Sequence, residues 1–152
     1  MLKPSTIHGP RAAILCLLML AGCGSRDPFS YVQVSGKITY EDGSLIPADP
    51  LVLTFYPQSA PLDEKTHPRI GTALVDKATG TFSSATSHKA GDGLVRGKHK
   101  VTLTSPADPL VPAIVSAEYT DPATTPLEVD TAVLPFELKV RKPSTMNTGG
   151  RP

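Results

Sequence analysis

The chain has no tryptophan, few aromatic residues (5 %) and only two cysteines, Cys16 and Cys23, among its 152 residues. Both cysteines fall within the first 23 residues, so the rest of the chain cannot form a disulfide and must rest on a packed core. Charge of one sign is missing too. The formal net charge is +1 with both signs interspersed, which excludes the clustered basic face of a nucleic-acid binder. No apolar run reaches the roughly 20 residues that a membrane-spanning helix needs. Proline, by contrast, is plentiful at 16 residues, about twice its ordinary share of roughly 5 %. Prolines, glycines and short apolar runs point to strands and turns rather than long helices.

The first residues read as an address. Lys3 and Arg11 precede an aliphatic run over residues 12–20, and the small residues Ala21 and Gly22 follow it. A positive start, a short apolar stretch and a small-residue end make a secretory signal. The four residues Leu20-Ala21-Gly22-Cys23 resemble, position for position, the lipidation signal of bacterial lipoproteins. That resemblance implies cleavage before Cys23, a diacylglyceryl thioether on its sulfur and fatty acyl chains such as palmitate. It also implies a domain held in the bacterial cell envelope outside the cytoplasm, with the membrane as its first partner. Gly24 and Ser25 follow the cysteine with no aspartate, which by the same resemblance implies the outer membrane. The organisation expected is a signal over residues 1–22, a polar tether over 23–30, a folded domain over 31–141 and a disordered tail over 142–152. Removing the signal would leave about 130 residues, enough for a core without metal or disulfide.

From Tyr31 the period is two. Val32, Val34, Ile38 and Tyr40 share one face of an expected strand, with Gly36 marking a bulge or a close backbone approach. Asp42-Gly43 signals a tight turn. Further strands are expected over 51–56 with Leu53 and Phe55 inward, over 70–75, and over 81–84 as the hairpin partner of 70–75. Residues 87–97 read as loop. Residues 98–104 alternate, with His99, Val101 and Leu103 on one face. An irregular crossing over 113–125, a short strand over 127–130 and a last strand with Phe136, Leu138 and Val140 inward complete the chain. The fold class expected is therefore all-β, an antiparallel β-sandwich of about seven strands.

Five stretches in order are similar to lipoproteins bearing a carboxypeptidase-regulatory-like domain, a transthyretin-like sandwich. They are Val34-Ser35-Gly36-Lys37-Ile38-Thr39, Leu53-Thr54-Phe55-Tyr56-Pro57, Asp76 to Phe82, Gly97-Lys98-His99-Lys100-Val101-Thr102-Leu103 and Tyr119-Thr120-Asp121-Pro122-Ala123-Thr124. This chain departs from the family at His99, where an aromatic is usual, and at Leu94-Val95-Arg96, where proline or glycine is usual. The resemblance implies a structural or interaction module.

Candidates for chemistry are few. His67, His88 and His99 lack zinc-ligand spacing, and His99 reads as a hydrogen-bonded core or edge histidine. The aspartates stand at turns, where they bond their own backbone, and no calcium-loop pattern occurs. Ser83 to His88 lacks a nucleophile elbow, and Gly91-Asp92-Gly93 precedes no helix that could cradle phosphate. The transthyretin-related hydroxyisourate hydrolases end in Tyr-Arg-Gly-Ser; this chain ends in Asn147-Thr148-Gly149-Gly150-Arg151-Pro152. No catalytic residue, metal ligand or cofactor is expected, and lipidation of Cys23 is the one site assigned. Two readings follow. One is a non-enzymatic envelope module with a protein partner, which a sandwich's open edges could receive. The other is a glycan-binding module, for which Tyr31, Tyr56 and Tyr119 are the candidate platforms.

Overall fold

The computed structural model describes residues 27–106 and 114–143. The signal, Cys23 and the tail from residue 144 lie outside the described residues. Among the described residues nine strands follow in chain order: β1 (Tyr31–Val32), β2 (Gly36–Tyr40), β3 (Leu51–Pro57), β4 (Gly71–Val75), β5 (Thr81–Phe82), β6 (Leu94–Val95), β7 (Lys98–Thr104), β8 (Glu128–Asp130) and β9 (Phe136–Val140). One 3-10 turn, Ala117–Thr120, precedes β8. The protein is all-β. A three-stranded sheet, β5-β2-β9, faces a four-stranded sheet, β4-β3-β7-β8, and a two-stranded ribbon pairs β1 with β6.

The period-two pattern explains the main strands. Leu53 and Phe55 of β3, Val101 and Leu103 of β7, and Phe136, Leu138 and Val140 of β9 are all buried in one core. Their alternate neighbours, such as Glu137 and Lys139, stay outside. Strand sequences of this kind have a single register that buries the apolar face, because a one-residue slip would turn every side chain over.

Four expectations need correction. First, the sandwich is not purely antiparallel: β2 and β9 run parallel, from Gly36 opposite Phe136 to Tyr40 opposite Val140. A parallel pair needs a long crossover, and here everything between β2 and β9 supplies it. Second, Thr81–Phe82 pairs with β2, not β4. The turn at residues 76–80 carries the chain from one sheet to the other, and Phe82 is buried between the sheets. Third, the expected strand over 31–40 divides, because β1 pairs with β6 while β2 pairs with β5 and β9. Fourth, Leu94 and Val95, assigned to loop, form β6 and are both buried. Gly93 makes that pairing possible. It has φ +96°, and a Cβ there would overlap the Val32 carbonyl. Division of one strand and addition of another turn the expected seven into nine.

The parallel β2–β9 pair has a geometric consequence. The chain comes in beside Gly36 and goes out beside Tyr40, so its two ends leave the domain at opposite poles. Asp27 belongs to the first pole. Its carboxylate accepts the Tyr31 hydroxyl at 2.6 Å, the Phe29 N–H at 3.0 Å and the Arg69 Nε at 3.1 Å. At the second pole Arg141 pairs with Glu118, and Lys142 pairs with Asp42 and sits over the Tyr40 ring.

Candidate functional site

The open edge of β9 is the surface most suited to a partner. Phe136 N–H donates to Ser35 O at 2.9 Å, and Val140 O accepts Glu41 N–H at 3.0 Å. In a parallel ladder alternate residues bond to one neighbour, so Phe136, Leu138 and Val140 turn their backbone toward β2. Glu137 and Lys139 turn theirs away from it, and β9 has no strand on that side among the described residues. Pro135 bounds the open stretch, having no N–H to offer. Arg141 bounds the other end, donating its N–H to the Tyr119 hydroxyl at 3.1 Å.

The other outer strands are more nearly covered. Thr72 of β4 exchanges two backbone hydrogen bonds with Thr86, and Asp76 N–H reaches Thr81 O at 2.8 Å. Asp130 O of β8 accepts Val133 N–H at 2.9 Å. Beside the β9 edge, Val133 is 70 % exposed and Leu134 41 %. They adjoin a hollow of about 430 Å³ between β8 and β9, lined by Val129, Val133, Pro135 and Phe136 among others. On the outer face Lys37 lies opposite Glu137 and Thr39 opposite Lys139, whose Nζ donates to Thr39 Oγ1 at 2.9 Å.

At the first pole a cleft of about 480 Å³ brings together Asp27, Arg69, His67 and His88, residues the sequence leaves far apart. Asp27 is its hub. Its carboxyl is held below the usual carboxylate range, chiefly by the Tyr31 hydroxyl, with Phe29 N–H and Arg69 adding to the effect. Burial, then the neighbouring Asp27 carboxylate, pushes the Tyr31 phenol up to about 12. The cleft's other polar groups serve its own loops. Asp63 accepts Lys65 N–H and Thr66 N–H, both at 2.8 Å. No three histidine, cysteine, aspartate or glutamate side chains gather as a metal site among the described residues. The turn aspartates behave as expected: Asp42, Asp76 and Asp121 accept the N–H of Ser44, Ala78 and Ala123.

His99 is in the core but only half satisfied. It is 0 % exposed, its ring meets Phe55 edge-on at 6.5 Å and 81°, and Nδ1 lies 3.1 Å from Gly97 O. A carbonyl only accepts, so Nδ1 carries the proton. Nε2 is left without a partner among the described residues. A second proton would place a buried charge against apolar side chains. Burial accordingly lowers the His99 pKa below 6.5, against smaller opposing effects from the Gly97 carbonyl and Asp130.

Below pH 6.5 the unfolded chain takes up a proton that the folded chain refuses. Stability is full above that pH and is lost as pH falls toward the folded-state pKa, by at most about 1.4 kcal/mol per pH unit. His99→Phe should flatten this limb. Urea midpoints of both proteins between pH 7.5 and 5.5 check it, above the range where carboxylates titrate. An equal slope in the two would refute the assignment.

Of the three tyrosines considered as glycan platforms, Tyr119 is buried, and Tyr31 and Tyr56 are half-buried. Tyr119 is 2 % exposed, with its hydroxyl accepting Arg141 N–H. Tyr56 is half-buried on β3 and Tyr31 is tied to Asp27. Comparison with protein-family models, with characterised proteins and with solved structures finds no match for this chain.

Proposed function

We propose that this protein is a lipid-anchored lipoprotein of the bacterial envelope whose transthyretin-like β-sandwich serves as a non-enzymatic protein-interaction module. The observation that carries the reading is the position of Asp27. It is locked to Tyr31 and Arg69 only four residues after Cys23. Part of the expected tether is thus bound to the domain, since Ser30 O also accepts Arg96 N–H at 3.0 Å. Three residues, Gly24-Ser25-Arg26, separate Cys23 from Asp27 in the sequence. Asp27 is four residues beyond Cys23, so at about 3.3–3.6 Å per residue the two are on the order of 14 Å apart at most. A lipidated Cys23 would hold the first pole within that distance of the bilayer. Two or more acyl chains, at about 0.8 kcal/mol per buried methylene, make such an anchor stable. The fold reading is supported by where the five family-like stretches fall: in β2, β3, the turn into β5, β7 and the 3-10 turn before the closing strands.

The test is metabolic labelling of cells with palmitate. The wild-type protein should carry the label and partition into a detergent phase, and Cys23→Ser should lose the label entirely. An unlabelled wild-type protein, or a variant labelled as strongly, would overturn the proposal.

A further inference from the structure

We infer that β9 is the seam of a two-fold homodimer, in which the edge strands of two copies pair antiparallel about Leu138. The inference uses the folded domain alone and does not depend on the anchor. The outward backbone groups are the N–H and C=O of Glu137 and Lys139, four in all, bounded by Pro135 and by the occupied N–H of Arg141. Antiparallel strands bond through pairs of residues that each turn their backbone toward the other. Centring two β9 strands on Leu138 sets Glu137 of one copy against Lys139 of its partner, and Lys139 against the partner's Glu137. Both pairs are outward-turned, so all four groups on each copy find a mate. No other centre within the open stretch does this.

Charge selects the same register. Glu137 and Lys139 have opposite signs and occupy the outer face. In the paired sheet each glutamate meets a lysine across the seam, and Glu137 already has Lys37 on its other side. Opposite charges directly across antiparallel strands attract, and like charges there repel. Inward, Leu138 meets its own copy and Phe136 meets Val140, so the two apolar faces continue into one another. A pairing that is its own complement fits the isologous geometry of a two-fold dimer. Antiparallel pairing points the two first poles in opposite directions along the seam. Both anchors reach one bilayer when the two-fold axis stands normal to it.

Sedimentation equilibrium of the full chain, in detergent matched to solvent density, reads the association directly. The wild type should pass from monomer to dimer with rising concentration. Glu137→Lys and Lys139→Glu should each weaken association by about tenfold or more, since each sets like charges across the seam twice. The double reversal Glu137→Lys with Lys139→Glu should restore it. Thermal melts confirm that each variant is folded. If Glu137→Lys fails because Lys37 lies beside it, Lys139→Glu, which adjoins Thr39, carries the test. A wild type monomeric at every concentration would leave the edge to a strand from another protein and overturn the inference. So would folded single variants that associate normally, or a folded double variant that does not recover.

Discussion

Phe55→Ala should destabilise the domain by about 3–5 kcal/mol, enough to leave much of it unfolded. Phe55 is 0 % exposed and is the aromatic hub of the core. Its ring centroid lies 6.0 Å from Phe82, 6.1 Å from Phe136 and 6.5 Å from His99. Those neighbours sit on β5, β9 and β7, so one side chain from β3 joins the two facing sheets. The cost has two parts: the transfer energy of the lost ring, and the cavity that remains because strands on both sides are fixed by their ladders. Deleting Phe55 also strips His99 of the ring it packs against. The control is Leu74→Ala on β4, 66 % exposed, for which a change within about 0.5 kcal/mol is expected. Urea unfolding of the three proteins decides it. A loss under about 1 kcal/mol for Phe55→Ala would mean that the sheets are held together elsewhere.

What the sequence discloses of this fold is what repeats along a strand. Leu53 and Phe55, Val101 and Leu103, and the trio Phe136, Leu138 and Val140 alternate with polar residues over five to seven positions, and all are buried. Gly36 stands out because it breaks such a run. Leu94-Val95 is hidden for the opposite reason: two residues carry no period, and glycines flank them. Strand pairing is the second hidden layer. Nothing in Thr81-Phe82 says that its partner is β2, and nothing in Phe136 to Val140 says that it runs parallel to the first long strand. Those facts belong to the path of the whole chain. The candidate surface divides the same way. Glu137 and Lys139 are legible as an outward face. That their backbone is unpaired depends on strand order, and only the fold supplies it. Tyr119, placed by the sequence among the surface candidates, lies in a 3-10 turn where alternation gives no direction. His67 and His88 meet in one cleft only because two long loops close over the same pole.

Gly36→Ala tests the hidden layer where β2 meets both β5 and β9, and the expected result reverses an ordinary rule. Gly36 is extended and lies between two partners, with Phe82 on one side and Phe136 on the other. Alanine at an unstrained extended position commonly stabilises a protein by about 0.4–1 kcal/mol, by restricting the unfolded chain. Here a Cβ would stand 2.6 Å from Phe136 O and 2.8 Å from both Phe136 Cβ and Phe82 Cζ. The Phe82 ring could tilt away. The Phe136 carbonyl cannot, because it belongs to the parallel ladder with β2. The overlap therefore forces β9 outward at its first residue, at a cost of about 1–3 kcal/mol or more, which exceeds the entropic gain. Two readings are expected together: a lower urea midpoint, and faster amide exchange at Phe136, whose N–H bonds Ser35 O across the displaced ladder. An alanine variant as stable as the wild type, with Phe136 still protected, would mean that β2 and β9 do not approach this closely. The parallel pair that sends the chain ends to opposite poles would then have to be redrawn.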